Sequence, residues 1–433
     1  MLETIIDPYL SRTLPADIAP TTESKIVRDA VWGMIELRPH EVIIIDTPLF
    51  QRLRGIFQTG FTYFVYPCAV HSRFEHSLGC LHLAGRYWDA LQKRIKTVRG
   101  AANPAPVLCD AWFCTTVRLA ALLHDISHCI FSHVSENVYK RDSRVSAAIK
   151  KVKDLFPATE RADVGAAEAV AYFALTSDRF SRFFDKVRTA VGVDSLPTEV
   201  TPENIARLIV GLSLKERPNL PALTQIINGP FDVDKVDYQT RDGYFTGVAL
   251  PVDVERLLSS LCIVQDDKTG NHELLVDHRG IAPIEQLLFN RMLLYDSVYH
   301  HHKIRASVQL FESYVDSPEK LPFEWLLEHD EYDFFGFRNT PPELDDLIYR
   351  LRHRNLPYRA AIVHQNTINH PADPVDDEWS DIMQKLFSTR DRDRDEGVKR
   401  FKEIRETIRQ HLGPSTSGRF YVDVPQPPKY MKI

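Results

Sequence analysis

LAALLHDISHCIFSH, residues 119–133, decides how this chain is read. The run VRLAALL (117–123) is almost wholly apolar, so a helix there belongs to a core and carries His124 and Asp125 inward at its end. A buried carboxylate needs a partner. For an imidazole and a carboxylate side by side, a metal ion is the usual one.

The dipeptide alone is weak evidence. A second His-Asp pair, His329-Asp330, lies in LLEHDEYD, whose crowded acids read as a solvated face. Only the first pair has further ligands within its motif context. HSRFEHS (71–77) supplies His71 and His76, and FDVDKVDYQTRD (231–242) supplies aspartates. Two imidazoles with two carboxylates form a mixed nitrogen and oxygen set that suits Fe, Mn, Co or Zn, whereas Mg prefers oxygen alone.

Composition sets wider bounds. The chain has 433 residues, 44% of them hydrophobic, enough for a large core in one big domain with an appendage or in two modest ones. Its apolar stretches fall short of a membrane span, and MLETIIDPYLSRTLPAD lacks a signal-peptide layout, so a soluble cytoplasmic protein is expected. The cysteines at 68, 80, 109, 114, 129 and 262 form no CxxC pair and read as reduced thiols. A net charge of −6 gives no general footprint for nucleic acid, so an anionic substrate must be held by local Arg, Lys and metal.

Residues 1–24, with prolines at 8, 15 and 20, read as a loosely ordered lead-in. Thr47-Pro48 marks a helix start. Helical periodicity runs through Phe74–Trp88, Trp112–Leu123, Ala166–Leu175 and Ile284–Phe311. Strand signals are short: IEL (35–37), YFVYP (63–67), LCIVQ (261–265), HELLVDH (272–278), AAIVH (360–364) and RFYVDVP (419–425). The expected fold is mainly α, with a helical core over 25–315 and a smaller mixed α+β part over 316–433. Within the latter, 389–413 reads as a solvated loop and an exposed amphipathic helix, whose balanced charges leave nucleic-acid contact undecided.

HSRFEHS, LLHDISHCIFSH and FDVDKVDYQTRD, preceded by IIDTPLFQRLRGIFQTG, resemble the HD-domain phosphohydrolases over about residues 25–305. The resemblance is greatest to the deoxynucleoside triphosphate triphosphohydrolases that include the sterile-alpha-motif and HD-domain dNTPase. With so short a lead-in, no sterile-alpha-motif domain is expected ahead of residue 25. The resemblance implies a metal site of His76, His124, Asp125 and Asp234. It makes His128 and His133 the phosphate-facing histidines, with Arg73, Lys235 and Arg291 on the phosphates. His128, four residues after His124, shares its face if the helix continues, and a protonated imidazole there can serve a phosphoryl oxygen.

The same resemblance puts Gln58 and Asp242 at the 3′-hydroxyl, Tyr238 against the sugar and Tyr299 in the base pocket. Lys25, Asp46, Gln51 and Arg54 match a guanine-nucleotide activator site, although this motif can also serve helix packing. Three departures stand out. A relay histidine is replaced by Gly165 or Ala166, and the relay's carboxylate is Glu136 rather than Asp. A base-pocket histidine is replaced by Tyr295. A leucine that blocks a ribose 2′-hydroxyl is replaced by Thr59.

The implied function is hydrolysis of a deoxynucleoside triphosphate to deoxynucleoside and triphosphate, with a transition metal in the site and Mg on the nucleotide. A homo-oligomer is the family expectation. Two alternatives are an HD enzyme acting on a ribonucleotide, a nucleoside monophosphate or a nucleic-acid end, and a catalytically weak nucleotide sensor.

Overall fold

The structure is a computed structural model describing residues 2–97, 110–157, 164–315, 320–337 and 340–358, together with Lys399 and Glu403. It is mainly helical, with two separate antiparallel hairpins.

The lead-in expected to be loose begins instead with helix α1 (Glu3–Thr13). Ile5, Ile6, Tyr9 and Leu10 lie on one stripe and are buried. Pro8 forgoes one ladder hydrogen bond at a cost of roughly 3 kcal/mol. Burial of several large side chains, each worth about 1.5–3 kcal/mol, outweighs it. Strands β1 (Lys25–Asp29) and β2 (Gly33–Leu37) follow, Lys25 opposite Leu37 and Asp29 opposite Gly33. The expected IEL strand is the end of β2.

Helices α2 (Pro39–Ile45) and α3 (Pro48–Gln51) come next, with Thr47 accepting the Phe50 N–H as a cap. The strand expected at YFVYP does not form. Residues Gly60–Phe64 make a 3-10 turn, and the N–H groups of Val65 and Tyr66 both return to Thr62 O. With its donors satisfied locally, the segment has nothing to offer a sheet.

The central pair is α4 (Arg73–Thr97) and α5 (Trp112–Leu123). Helix α5 is buried almost all round, as its composition required. Its one charged side chain, Arg118, is fixed by Glu41 of α2, with Nε and Nη2 each 2.7 Å from a carboxyl oxygen. Around this pair stand α6 (His133–Tyr139), α7 (Ser143–Lys153), α8 (Ala166–Leu175), α9 (Asp178–Val191), α10 (Pro202–Ile209) and α11 (Pro221–Ile227).

Helix α12 (Val233–Thr246), N-capped by Asp232, crosses α4 at Gly79. A Cβ on Gly79 would stand 1.9 Å from Asp237 Oδ1, so glycine permits the close approach. Helix α13 (Val254–Ser260) precedes the hairpin of β3 (Leu261–Gln265) and β4 (His272–Val276), at the positions expected from LCIVQ and HELLVDH.

The continuous helix expected over Ile284–Phe311 is broken. It comprises α14 (Ile281–Leu294), a π-turn at Tyr295–Tyr299 and α15 (His302–Tyr314), restarted by His301, whose Nδ1 accepts from Lys303 N. Apolar periodicity persists through such a turn and does not reveal it. Helices α16 (Phe323–Glu328), α17 (Glu331–Gly336) and α18 (Pro342–Arg352) bury Phe323, Leu327, Phe334 and Leu347 in the same core as α4 and α5.

The solvated face expected around His329-Asp330 is therefore corrected. His329 stacks on Trp325 at 4.4 Å, Asp330 caps α17, and the neighbouring Glu331 is fully buried. The strand candidates at 360–364 and 419–425 lie outside the described residues. So does the helix expected within 389–413, except at Lys399 and Glu403, which are helical.

Candidate metal centre

His76 on α4, His124 and Asp125 at the end of α5, and Asp234 in the first turn of α12 converge as the motif order implied. His76 Nε2 lies 3.1 Å from Asp234 Oδ1 and 3.5 Å from Asp125 Oδ2, and His124 Nε2 lies 3.4 Å from Asp125 Oδ1. His71 does not join them. Its Nε2 meets Asp242 Oδ1 at 2.7 Å and its ring stacks on Phe245.

Both candidate ligand imidazoles are held from behind. Asp237 Oδ2 takes His76 Nδ1 at 2.7 Å, and Ala121 O takes His124 Nδ1 at 2.8 Å. Each ring thus turns an Nε2 lone pair toward the carboxylates, the arrangement by which outer partners fix a metal-binding tautomer. His124 Nε2 is buried without a hydrogen-bond partner among the described residues, which is costly for a polar atom unless a ligand meets it. The donor set therefore fits a divalent transition ion.

Cys80 also belongs to the cluster, its sulfur within 4.8 Å of ligand atoms of His76, His124 and Asp234. It lies 3.7 and 3.6 Å from the two nitrogens of His76, hence over the ring face and off the line of the Nε2 lone pair. Burial pushes its thiol well above the ordinary range. Cys80 therefore stands in the cluster as a further candidate donor, offset from the line of the His76 Nε2 lone pair. Cys114 and Cys129 are likewise buried and free, Cys68 is exposed and Cys262 half-buried, while Cys109 lies outside the described residues.

On one side stands the loop 125–133. Helix α5 ends before it, so His128 does not share a helical face with His124 and reaches Asp125 Oδ1, at 3.2 Å, through a turn. Burial and then the Arg73 guanidinium lower His128 to about 4, so it is a neutral imidazole at pH 7 and not the protonated group expected. Arg73 donates to Asp125 Oδ2 and, through Nε at 3.0 Å, to Ser132 Oγ. Arg73, His124 and His128 hold Asp125 well below the carboxylate range against the opposing effect of burial.

His133 opens α6 with an exposed ring. Its Nδ1 meets Glu136 Oε2 at 3.1 Å, and its Nε2 faces Arg73 Nη2 at 3.2 Å. Glu136 Oε1 accepts the Ala166 N–H at 2.8 Å, at the start of α8. The space left by the missing relay histidine is thus closed by backbone, and Glu136 serves His133 directly. Burial opposes the charge on Glu136, but the His133 bond and the backbone N–H groups hold its carboxyl far below the ordinary range.

Gln58 Oε1 and Thr59 Oγ1 are buried without hydrogen-bond partners among the described residues. Asp242 is engaged by His71 and by Tyr299 Oη. Tyr295 and Tyr299 sit on the π-turn with rings perpendicular, 5.2 Å apart, and Arg291 lies 5.8 Å from the Tyr295 ring. Burial pushes the Tyr238 hydroxyl well up. Lys235 is turned onto Asp232 and Gly229 O. The four activator-motif residues form two linked pairs, Lys25 Nζ with Asp46 at 2.7 Å and Arg54 Nε with Gln51 at 2.7 Å.

Sequence reasoning missed the supporting residues. Asp237 is held by Trp32 Nε1 and by Arg241, which also grips Asp29 at 2.8 Å. Arg52 joins Tyr9 Oη, at 3.0 Å, to His128 O, at 2.7 Å, tying α1 to the histidine loop. The spacing Asp234-x-x-Asp237 on one helix face was the available signal for Asp237. Arg52 gave none, because its partners are backbone or remote.

Comparison with known proteins places the HD domain at residues 73–175 and the HD associated region at residues 252–395. An uncharacterized protein of Methanocaldococcus jannaschii is 29% identical over 350 residues, covering 78% of this chain and 60% of that protein. A deoxynucleoside triphosphate triphosphohydrolase SAMHD1 homolog of Dictyostelium discoideum is 28% identical over 358 residues, with coverages of 78% and 60%. The Homo sapiens deoxynucleoside triphosphate triphosphohydrolase SAMHD1 is 29% identical over 284 residues, covering 64% of this chain and 42% of its own. The chain thus spans less than two thirds of the length of these relatives.

Proposed function

We propose that this chain, which belongs to the HD-domain family, is a metal-dependent phosphohydrolase that cleaves deoxynucleoside triphosphates to deoxynucleoside and triphosphate. One observation carries the reading. Two oriented Nε2 atoms and two carboxylates converge against Arg73, His128 and His133. The names of the SAMHD1 relatives supply the substrate class.

His76, His124, Asp125 and Asp234 would hold the ion. When bound, it supplies Lewis-acid polarisation of a phosphate oxygen and an activated water. Arg73, now on Asp125 and Ser132, turns its guanidinium to the phosphate, where charge assistance is strongest. His133, fixed by Glu136 at Nδ1, takes at Nε2 the proton lost by the attacking water and gives it to the 5′-oxygen that leaves the α-phosphorus. Neutral His128 keeps Asp125 oriented. Lys235 and Arg291 supply further positive charge for the phosphate tail, which would arrive as its Mg complex. Tyr238, Tyr295 and Tyr299 form the wall for sugar and base, and Gln58 and Asp242 meet the 3′-hydroxyl.

A broader substrate range is favoured by Thr59, whose buried hydroxyl offers a ribose 2′-hydroxyl a partner. The exposed Lys25–Asp46 and Arg54–Gln51 pairs supply donors and acceptors for a guanine-nucleotide activator, and assembly into a homo-oligomer belongs to the same reading.

Metal analysis of the purified protein, followed by a panel of deoxy- and ribonucleotides resolved by product, tests this. Triphosphate and nucleoside are expected. Orthophosphate or nucleoside monophosphates would assign the site to another phosphorylated substrate, and binding without turnover would make it a sensor.

A further inference from the structure

A buried acid outside the metal centre has no part in the reaction just described. Glu331, the first residue of α17, is 1% exposed. Its Oε1 accepts two backbone N–H groups, from Phe57 at 2.9 Å and from Phe131 at 3.0 Å. Phe57 precedes Gln58 and Thr59. Phe131 lies between His128 and His133.

We propose that Glu331 is a positioning residue, a single carboxyl oxygen that fixes the spacing between the loop presenting Gln58 and Thr59 and the loop presenting Ser132 and His133. The proposal rests on the reading of these loops as the sugar and phosphate sides of one site.

The loops need such a tie. Phe131 and Ser132 have φ of 56° and 58°, a left-handed conformation that non-glycine residues adopt at a cost of about 1–3 kcal/mol each and hold only where the surroundings enforce it. The Phe131 ring stacks on Phe61 at 4.2 Å, and a Cβ on Gly60 would stand 3.0 Å from Phe131 O, so the loops already meet. The next residue, Ser132, accepts Arg73 Nε, and Arg73 N donates to Ile56 O at 2.8 Å. Glu331 therefore closes a ring of contacts running from residues 56–58 through Arg73 and Ser132 back to Phe57.

A carboxyl suits the position because one oxygen can accept both amides. Burial pushes the group well above the usual carboxylate range against the two amides, with Asp330 adding to the rise, and so favours its neutral form. Its Oε2 is buried without a hydrogen-bond partner among the described residues. Glutamine reproduces that neutral acceptor, whereas aspartate is one methylene too short to reach both amides.

The test compares full-length, metal-loaded wild type with Glu331→Gln, Glu331→Asp and Glu331→Leu, by hydrogen exchange and by steady-state kinetics on the best deoxynucleoside triphosphate. Glu331→Gln is expected to match wild type within about twofold. Glu331→Leu should speed exchange in 56–62 and 128–134 while α5 stays protected and metal content holds. It should lower kcat/KM by about tenfold or more, mostly through kcat, because misplaced groups slow the reaction more than they weaken binding. Unchanged exchange at either loop, or a Glu331→Gln variant as impaired as Glu331→Leu, overturns the proposal. If Glu331→Leu unfolds as a whole, Glu331→Asp decides: selective loosening of the loops supports the clamp, and wild-type exchange overturns it. A wild type that binds metal but releases no triphosphate defeats the functional reading instead, and the exchange data then judge the clamp alone.

Discussion

Asp237 grips His76 at Nδ1 over 2.7 Å, on the side of the ring opposite the Nε2 that faces Asp234 and Asp125. Trp32 and Arg241 both donate to the same carboxylate, and Arg241 is locked in turn by Asp29. The hairpin that begins at Lys25 is thereby wired to a candidate metal ligand. Replacing Asp237 with Asn keeps the volume but weakens the acceptor that fixes the tautomer. Metal affinity, measured by competitive chelation, should fall by about 10- to 100-fold. Wild-type affinity in Asp237→Asn would show that His76 needs no such support.

The two His-Asp pairs should respond oppositely. His124→Ala or Asp125→Ala removes a converging donor, so bound metal and hydrolysis should both be lost. His329→Ala removes a ring that stacks on Trp325 and whose Nδ1 meets Trp325 O, and should leave both intact. Full occupancy and activity in His124→Ala would refute the site.

What the sequence disclosed followed from local pattern. The all-apolar run before His124 announced a buried helix, and the ordered His and Asp motifs announced their convergence, because both signals sit within one or two turns. Elements that depend on distant partners stayed hidden. YFVYP has strand composition, yet Thr62 O takes up its N–H groups and no neighbouring strand competes for them. Helix α1 carried Pro8 and polar residues that read as a lead-in, because its stripe makes sense only against α3, α8 and α9. Glu331 looked like one acid among several, and only the two amides of Phe57 and Phe131 distinguish it.

The His133–Glu136 pair should carry the proton chemistry that a longer relay would otherwise support. His133→Ala should lower turnover by roughly 100-fold or more and retain the metal, since the ring acts on the phosphoryl group. Glu136→Gln should lower kcat in the same direction with KM little changed. His128→Ala, which removes a neutral ring oriented on Asp125, should also slow turnover at constant metal content. Unchanged rates in both histidine variants would mean that the reacting phosphate lies elsewhere.

Glu331 should also leave a mark on the pH dependence of stability. Its folded pKa is raised above the ordinary 4.5 by burial, against the Phe57 and Phe131 amides, which favour the charged form, and with Asp330 adding to the rise. The folded state then holds a proton that the unfolded chain has released. Stability from this group is fully present below pH 4.5 and is lost as pH rises toward the folded value. Glu331→Gln cannot titrate. Its melting temperature relative to wild type should therefore climb as pH rises above 4.5, and a constant offset would show that the folded pKa of Glu331 is not raised.

Thr59 bears on the choice of sugar. Its hydroxyl is buried and unpartnered among the described residues, beside the equally unpartnered Gln58 Oε1, at the position where the resembling family carries a bulky leucine. The shorter side chain removes a clash with a ribose 2′-hydroxyl and offers it a hydrogen bond. Each effect is worth roughly 1–3 kcal/mol, enough for about one to two decades of selectivity. Wild type should therefore accept ribonucleotides measurably, and Thr59→Leu should suppress their turnover while sparing deoxynucleotides, as read from paired kcat/KM values. If wild type excludes ribonucleotides and Thr59→Leu changes nothing, Thr59 does not face the sugar, and the assignment of Gln58 beside it falls too.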